Sequence, residues 1–186
     1  MSANPTRKLF NVHEYQQMGE AEILSTRDRV ELINGEILIK PMMGPPHCAS
    51  VDRVSQAMYR ASDSQYIVRT QGAVRLDEWN EPEPDVVLLR PKDDFYASKH
   101  PAPADILLIV EVADSSLKFD AGTKARLYAE TGIPEYWIVD IPNDCLRVYS
   151  EVHEGTYRTI RQFHRGDTIS PMLLPDCSIS IDTLLP

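Results

Sequence analysis

The sequence predicts an α/β fold in which helices cover a mixed central β-sheet, and three consecutive segments carry this prediction. Residues 106–112 are apolar on both alternating faces apart from one glutamate, as in a strand buried mid-sheet. Residues 121–130 have a helical composition and precede the helix breakers Gly132 and Pro134. Residues 135–141 are rich in β-branched and aromatic side chains. Strand, helix and strand in this order indicate a βαβ crossover.

The N-terminal part predicts a capped helix followed by a hairpin. Asn11 and Glu14 have the spacing of a capping box, so we expect a helix from about Val12 to near Gly19. The dipeptide Asn34-Gly35 lies between alternating apolar residues and suits the two positive-φ positions of a type I′ turn. A tight antiparallel hairpin follows from this spacing.

The rest of the chain predicts one more helix and several short strands. Beyond the breakers at 41–46, apolar side chains recur at steps of three and four residues, which predicts a helix that covers the sheet; they are Val51, Val54, Met58 and Ala61. Short β-rich runs bounded by Gly, Pro or turn residues predict strands at 66–69, 73–76, 85–89, 146–152 and 157–163. The last two would belong to a C-terminal β-meander.

Length and composition indicate one globular domain. The chain has 186 residues, of which 42% are hydrophobic and 25% charged, so we expect a single domain over residues 1–186, with residues 1–8 as a flexible tail. The longest apolar run, 106–110, is far shorter than the roughly 20 residues of a membrane span. No signal-peptide pattern is present, and we expect a cytoplasmic protein. Three widely spaced cysteines fit reduced packing residues better than disulfides or a zinc site.

The charge balance bears on nucleic-acid binding. Lys and Arg number 19 and Asp and Glu 28, which gives a net charge of −9. Phosphate contacts are made mainly by Lys and Arg. An acidic chain is therefore not a natural nonspecific nucleic-acid binder, which counts against a nuclease.

Glu111 is the most informative single position, because it interrupts an otherwise apolar strand. A buried ionised carboxylate must be paired with a cation, hydrogen-bonded, protonated or bound to metal. Taken alone, Glu111 is best interpreted as a structural salt bridge to Lys124 or Arg126. A functional interpretation needs further residues beside it.

Asp85 is the first such residue, because it opens the apolar strand that follows Pro84. Two acidic residues at corresponding ends of adjacent strands could share one hard cation, Mg²⁺ or Mn²⁺, which favours carboxylate, carbonyl and water ligands. Lys124 on the following helix could place an ammonium beside an attacking water or the charge that develops on phosphorus. By position alone, Lys124 is more often an exposed helical lysine.

These residues belong to a longer pattern, which comprises Pro84-Asp85, the stretch from Glu111 to Ser116, Asp120, Lys124, Tyr128 and the stretch from Gly132 to Asp140. The pattern resembles the Uma-two family of restriction-endonuclease-like proteins. The resemblance also covers the stretch from Glu31 to Glu36, His47 and the C-terminal strands, and so spans nearly the whole chain.

The resemblance implies a restriction-endonuclease-like core of the PD-(D/E)XK superfamily. Asp85 would be the Pro-Asp carboxylate, Glu111 the second acid and Val112 the donor of a backbone carbonyl to the metal. The commonest form of the motif has its lysine two residues after the second acid, where this chain has Ala113. The resemblance therefore assigns the lysine to Lys124 on the helix. Three further polar residues are secondary candidates for the same cleft: Glu31, His47 and Gln71.

Three functions remain open at this point. The first is a Mg²⁺- or Mn²⁺-dependent endonuclease that hydrolyses DNA, with Asp85, Glu111 and Lys124 as catalytic residues. The second is a noncatalytic interaction protein in which the same trio forms a buried ion-pair network. The third is a hydrolase of a small phosphorylated substrate, which would need no extended basic surface. DNA is the implied partner of the first, and an exposed strand edge together with the resemblance predicts a homodimer.

Overall fold

The computed structural model describes residues 6–25, 27–62 and 65–186. The strands in chain order are β1 (Val30–Ile33), β2 (Glu36–Ile39), β3 (Ile67–Thr70), β4 (Val86–Leu89), β5 (Ile106–Ala113), β6 (Glu135–Asp140), β7 (Cys145–His153), β8 (Thr156–Phe163), β9 (Thr168–Ile169) and β10 (Ile179–Ser180). The strands form one six-stranded sheet and two small antiparallel two-stranded sheets, β1-β2 and β9-β10.

The described residues also form five α-helical segments. They are α1 (Val12–Glu20), α2 (Pro45–Ala61), α3 (Leu117–Phe119), α4 (Ala125–Glu130) and α5 (Ile181–Leu184). A π-helical turn, Asp120–Lys124, joins α3 to α4 without a break. We call the continuous segment from α3 to α4 the crossover helix.

The central sheet has the order β3-β4-β5-β6-β7-β8. Strands β5 and β6 pair in parallel and every other neighbouring pair is antiparallel. The crossover helix connects the parallel pair, as βαβ topology requires, since parallel neighbours cannot be joined by a tight turn. The predicted mixed sheet flanked by helices, with an N-terminal hairpin and a C-terminal meander of β6, β7 and β8, is confirmed.

Apolar side chains cover both faces of the sheet. Val54 and Met58 of α2, fully buried, pack on one face together with the C-terminal segment. Leu127 and Tyr128 of the crossover helix pack on the other face. A central strand such as β5, buried along its whole length, is covered on both sides.

The two N-terminal predictions are confirmed in detail. In α1 the Asn11 side chain accepts a hydrogen bond from the Glu14 N–H at 2.9 Å, and the Glu14 carboxylate accepts one from the Asn11 N–H at 3.0 Å. Between β1 and β2, Asn34 and Gly35 have φ angles of +52° and +75°, as a type I′ turn requires.

Two predictions of secondary structure were wrong. Residues 73–76 form no strand, because the backbone there pairs with a neighbouring loop, for example from the Val74 N–H to the Pro82 carbonyl at 3.0 Å. The helix predicted at 121–130 begins earlier, at Leu117, and contains the π-helical turn. A π-helical turn of this kind is often found at functional sites.

Part of the predicted N-terminal tail, residues 1–5, lies outside the described residues, while Arg7 and Lys8 form surface ion pairs with Glu36 and Glu14. No helix in the described part of the chain combines the length and the apolar character that crossing a membrane demands. Cys145 and Cys177 are buried as expected of packing residues, but Cys48 is exposed, so that interpretation was wrong for Cys48.

Candidate metal centre

The pairing of β4 with β5 brings Asp85 and Glu111 together. Val86 lies opposite Val110 in the antiparallel ladder, and the same register sets Asp85 opposite Glu111. Because side chains alternate along a strand, both carboxylates belong to the sheet face that the crossover helix covers. Each residue is only 4% exposed, and both line one cleft.

Both oxygens of Asp85 have protein partners. Oδ2 accepts a hydrogen bond from the Val112 N–H at 2.9 Å, and Oδ1 lies 3.2 Å from Nε2 of His47, in the first turn of α2. Burial alone would raise the pKa of Asp85, but the hydrogen bonds from His47 and Val112 outweigh it and hold the pKa below its usual value. The same contact raises the pKa of His47. Asp85 is therefore a fixed carboxylate at neutral pH.

Glu111 has one occupied and one free oxygen. Oε1 accepts hydrogen bonds from Nζ of Lys124 at 2.9 Å and from the Tyr128 hydroxyl at 2.8 Å. Oε2 accepts none from the described residues and is not among the fully enclosed polar atoms, so it faces the cleft. Burial raises the pKa of Glu111 to about 8, against the opposing effect of Lys124. A cation on Oε2 would favour the ionised form.

Lys124 belongs to the π-helical turn and is 4% exposed. Its Nζ contacts Glu111 Oε1 and lies 3.4 Å from Oε2 of Glu31, which β1 supplies. Burial disfavours the ammonium, yet the surrounding carboxylates of Glu111, Glu31 and Asp120 raise the pKa of Lys124 overall. The side chain is thus a protonated ammonium and not a base at neutral pH.

The carbonyl of Val112 is available as a third oxygen. In a β-strand the N–H and C=O of one residue point to the same side, and the Val112 N–H points to Asp85. The residue that would come next on β4 in this register is Pro84, which has no N–H to donate. Val112 also lines the cleft. Proline before the aspartate thus leaves this carbonyl without a ladder partner on the β4 side.

The cleft has a volume of about 430 Å³. Its lining combines the candidate site residues with an apolar stretch around the end of β2; besides Asp85, Glu111, Val112 and Lys124 it comprises Arg29, Glu31, Leu38, Ile39, Lys40, Pro41, Met42, Met43, Gly44, His47, Asp114, Ser115, Ser116, Phe119 and Asp120.

The secondary candidates differ in position. Glu31 and His47 line the cleft and contact Lys124 and Asp85 respectively. Gln71 does not line it: its backbone N–H donates to the Asp85 carbonyl at 3.0 Å, and its side chain donates to Met43 Sδ at 2.9 Å. Gln71 therefore contacts the site residues without facing the cleft.

Two site residues were missed as candidates, Asp120 and Tyr128. Asp120 is 3% exposed, lines the cleft and accepts a hydrogen bond from Ser116 at 2.5 Å, while burial raises its pKa. Tyr128 is fully buried beneath Glu111. Asp120, Lys124 and Tyr128 are spaced by four residues, which places them along one side of a helix. That spacing was the signal that could have found them.

The donor set fits Mg²⁺ or Mn²⁺. Within the ranges that the structure describes, no group of three or more His, Cys, Asp or Glu side chains is arranged to hold a metal ion alone. Mg²⁺ does not need one, since it usually takes one or two carboxylates and keeps several waters. Asp85, the free oxygen of Glu111 and the Val112 carbonyl are oxygen donors of this kind.

The chain combines a mixed sheet, a Pro-Asp strand and an ion pair between Glu111 of β5 and Lys124 of the crossover helix, the arrangement expected of a restriction-endonuclease-like protein. This chain belongs to the Uma2 family, described as "putative restriction endonuclease", whose family model matches residues 12–182. No curated protein matches the sequence significantly.

Solved structures similar to the chain include the following two. The first is described as "a putative nuclease belonging to DUF820" from Anabaena variabilis ATCC 29413; it has a TM-score of 0.73 and 16% identity, and the match covers 94% of this chain and 97% of that one. It shows the fold. The second is the type IIG restriction endonuclease BpuSI, with a TM-score of 0.36 and 20% identity over 56% of this chain and 11% of that one.

Proposed function

We propose that this chain is a metal-dependent endonuclease that hydrolyses phosphodiester bonds in DNA. Asp85, Glu111 and the Val112 carbonyl would hold Mg²⁺ or Mn²⁺. The observation that supports the proposal most is Oε2 of Glu111, which accepts no hydrogen bond from the described residues and is not fully enclosed, while Lys124 and Tyr128 hold Oε1. Asp85 and the Val112 carbonyl lie at the same end of β4 and β5.

The bound ion would polarise a phosphoryl oxygen and lower the pKa of a water molecule. Lys124, kept protonated by its carboxylate neighbours, would stabilise negative charge that develops on the phosphate. His47 would fix the orientation of Asp85 through Oδ1. Glu31 would position the Lys124 ammonium from the opposite side to Glu111. A raised pKa argues against Lys124 as a general base, which should be able to lose its proton near pH 7.

The test is incubation of plasmid and linear DNA with the purified chain in Mg²⁺, Mn²⁺ or EDTA. Wild type is compared with Asp85→Asn and with Asp114→Asn, an exposed aspartate that also lines the cleft. We expect cleavage that requires the metal, is lost in Asp85→Asn and is kept in Asp114→Asn. Cleavage in EDTA, or equal cleavage by Asp85→Asn, would refute the proposed site.

A noncatalytic interaction protein is the second candidate, and one observation favours it. Lys124 already contacts both Glu111 and Glu31, so part of the buried negative charge is compensated without a metal. If this network is the only purpose of the residues, no divalent ion should raise the melting temperature. The third candidate, hydrolysis of a small phosphorylated compound, is supported by the small volume of the cleft.

We also propose that the chain forms a homodimer. Strand β8 ends the central sheet, and its Ile160 is 59% exposed. Light scattering coupled to size-exclusion chromatography measures the mass directly, against 21.1 kDa for one chain.

A further inference from the structure

The floor and the rim of the cleft differ in chemistry. The floor is charged and nearly inaccessible, since Asp85, Glu111 and Lys124 are each 4% exposed. The rim at the end of β2 is apolar and open to solvent, with Ile39 84% and Met42 95% exposed. Solvent-exposed apolar side chains beside a charged site suggest a ligand with both an apolar surface and a charged group.

One aromatic ring, that of Phe119, lies in the cleft near the charged floor. Phe119 is half-buried, lines the cleft and lies with its ring centroid 6.0 Å from Nζ of Lys124. Aromatic rings beside cations are the usual elements that bind unpaired bases, because every base has a flat π-face. The Lys124 ammonium lies over one face of Phe119, and the half-buried ring keeps surface in the cleft that a base could contact.

Two cations also line the cleft near the rim, Arg29 and Lys40. Arg29 donates to the Pro41 carbonyl at 2.9 Å. Lys40 donates to the Glu83 carbonyl at 2.7 Å and also pairs with the Glu83 carboxylate at 3.3 Å. Each keeps further N–H groups that could contact a phosphate, since guanidinium has five and ammonium three. The lining holds five carboxylates against three Lys and Arg side chains, so the approach of a nucleic-acid backbone would depend on a bound metal together with these cations.

The size of the cleft argues against a duplex. About 430 Å³ is in the range of roughly 300–1,000 Å³ that holds a single small ligand. Specific duplex binding usually buries about 1,000–2,500 Å² of strongly positive protein surface, whereas this chain has a net charge of −9. Two further arginines, Arg158 and Arg161, lie on β8, three strands away from β5.

We propose that the cleft takes one nucleotide of an unpaired DNA strand, so that the substrate class is single-stranded DNA or an unpaired end rather than intact duplex. This inference rests on the proposed function. An unpaired nucleotide can turn its base towards Phe119 and the apolar rim while its phosphate reaches the metal that Asp85 and Glu111 would hold. A base held in a duplex stack cannot do both without being flipped out, which costs a few kcal/mol.

The experiment measures binding and cleavage separately. Fluorescence anisotropy in Ca²⁺, which takes the same oxygen ligands, compares a labelled 12-nucleotide single strand, a hairpin duplex of the same sequence and the free mononucleotide as competitor. Cleavage of the two oligonucleotides is then followed in Mg²⁺ or Mn²⁺. Because binding preference is read without chemistry, its result does not depend on whether the chain cuts DNA.

Two pairs of matched variants locate the contact. Phe119→Leu keeps an apolar side chain but removes the aromatic face, and its control is Phe95→Leu, 68% exposed and outside the cleft. Ile39→Ser removes apolar surface at the rim, and its control is Ile23→Ser, 70% exposed and outside the cleft. Circular dichroism of all four variants verifies folding.

We expect the single strand to bind at least about tenfold more tightly than the duplex. Phe119→Leu should weaken that binding at least about fivefold, in line with the loss of one base stack, and Ile39→Ser should weaken it to a lesser extent, while both controls bind as wild type. Each of four results would overturn the inference. The first two are equal or tighter binding of duplex and competition by the mononucleotide as strong as by the strand. The others are unchanged binding by folded Phe119→Leu and Ile39→Ser, and no binding of either DNA. Metal-dependent cleavage of duplex with no preference for the single strand would overturn it and leave the proposed function standing.

Discussion

Lys124 Nζ lies 2.9 Å from Oε1 of Glu111, and this buried pair joins the crossover helix to the middle of the sheet. The ammonium has Glu31 at 3.4 Å on its other side, and the Asp120 carboxylate also raises its pKa. One cation thus compensates several acids that are almost completely removed from solvent. The following expectations depend on that imbalance of charge.

Replacement of Lys124 by methionine should destabilise the metal-free protein. Loss of the ammonium leaves Glu111, Glu31 and Asp120 without their cation, which typically costs about 3–5 kcal/mol. Urea unfolding in EDTA at pH 8 measures this, with the exposed Lys118→Met as control. The loss should shrink at pH 5.5, where protonation of Glu111 relieves the repulsion. A Lys124→Met protein as stable as wild type at pH 8 would contradict the charge balance described here.

Glu111→Gln should abolish metal-dependent cleavage and leave the fold intact. The amide keeps the shape and can still accept a hydrogen bond from Lys124, while it removes one of several like charges. We therefore expect the metal-free variant to be at least as stable as wild type in EDTA. The exposed Glu130→Gln is its control, because that carboxylate only pairs with Arg126 on the surface. A loss of about 3–5 kcal/mol in Glu111→Gln would instead mean that the ion pair is the purpose of this residue.

The stability of the metal-free protein should depend on pH through Glu111. Its pKa is about 8 in the folded state against 4.5 as the ordinary value, so the folded state holds a proton that the unfolded chain has lost. The contribution of Glu111 to the free energy of unfolding should therefore be greatest below about pH 4.5. It should fall as the pH rises towards 8. Urea titrations from pH 5.5 to 8.5 in EDTA measure the slope. The slope should be smaller in Glu111→Gln, and equal slopes in both proteins would show that Glu111 does not titrate in this range.

Divalent metal should raise the melting temperature of wild type, because a ligand that binds only the native state stabilises it. Binding requires ionised Glu111, so the shift in Mg²⁺ or Mn²⁺ should be larger at pH 8.5 than at pH 6.5. Asp85→Asn should lose the shift, while Asp114→Asn should keep it. Thermal scans with equal shifts in wild type and Asp85→Asn would indicate that the metal binds elsewhere.

Local patterns in the sequence determined much of the fold. The capping box of Asn11 and Glu14 and the turn at Asn34-Gly35 depend only on neighbours within a few residues, so the chain specifies them by itself. The unbroken apolar runs identified the central strands in the same way. The prediction of a strand at 73–76 was wrong because β-rich composition alone does not supply a partner strand. The Val74 N–H donates to a loop carbonyl instead.

The candidate site was only partly accessible from sequence. Asp85, Glu111 and Lys124 stood out because charged residues interrupt or adjoin apolar segments, and the resemblance grouped them. Only the tertiary structure decided that Glu31 reaches Lys124, that Tyr128 and Lys124 share one oxygen of Glu111, and that the other oxygen faces the cleft. These contacts join residues that are far apart in the chain or depend on the π-helical turn. The packing of sheet, hairpin and helix determines the distances between these side chains, and no local sequence pattern specifies them.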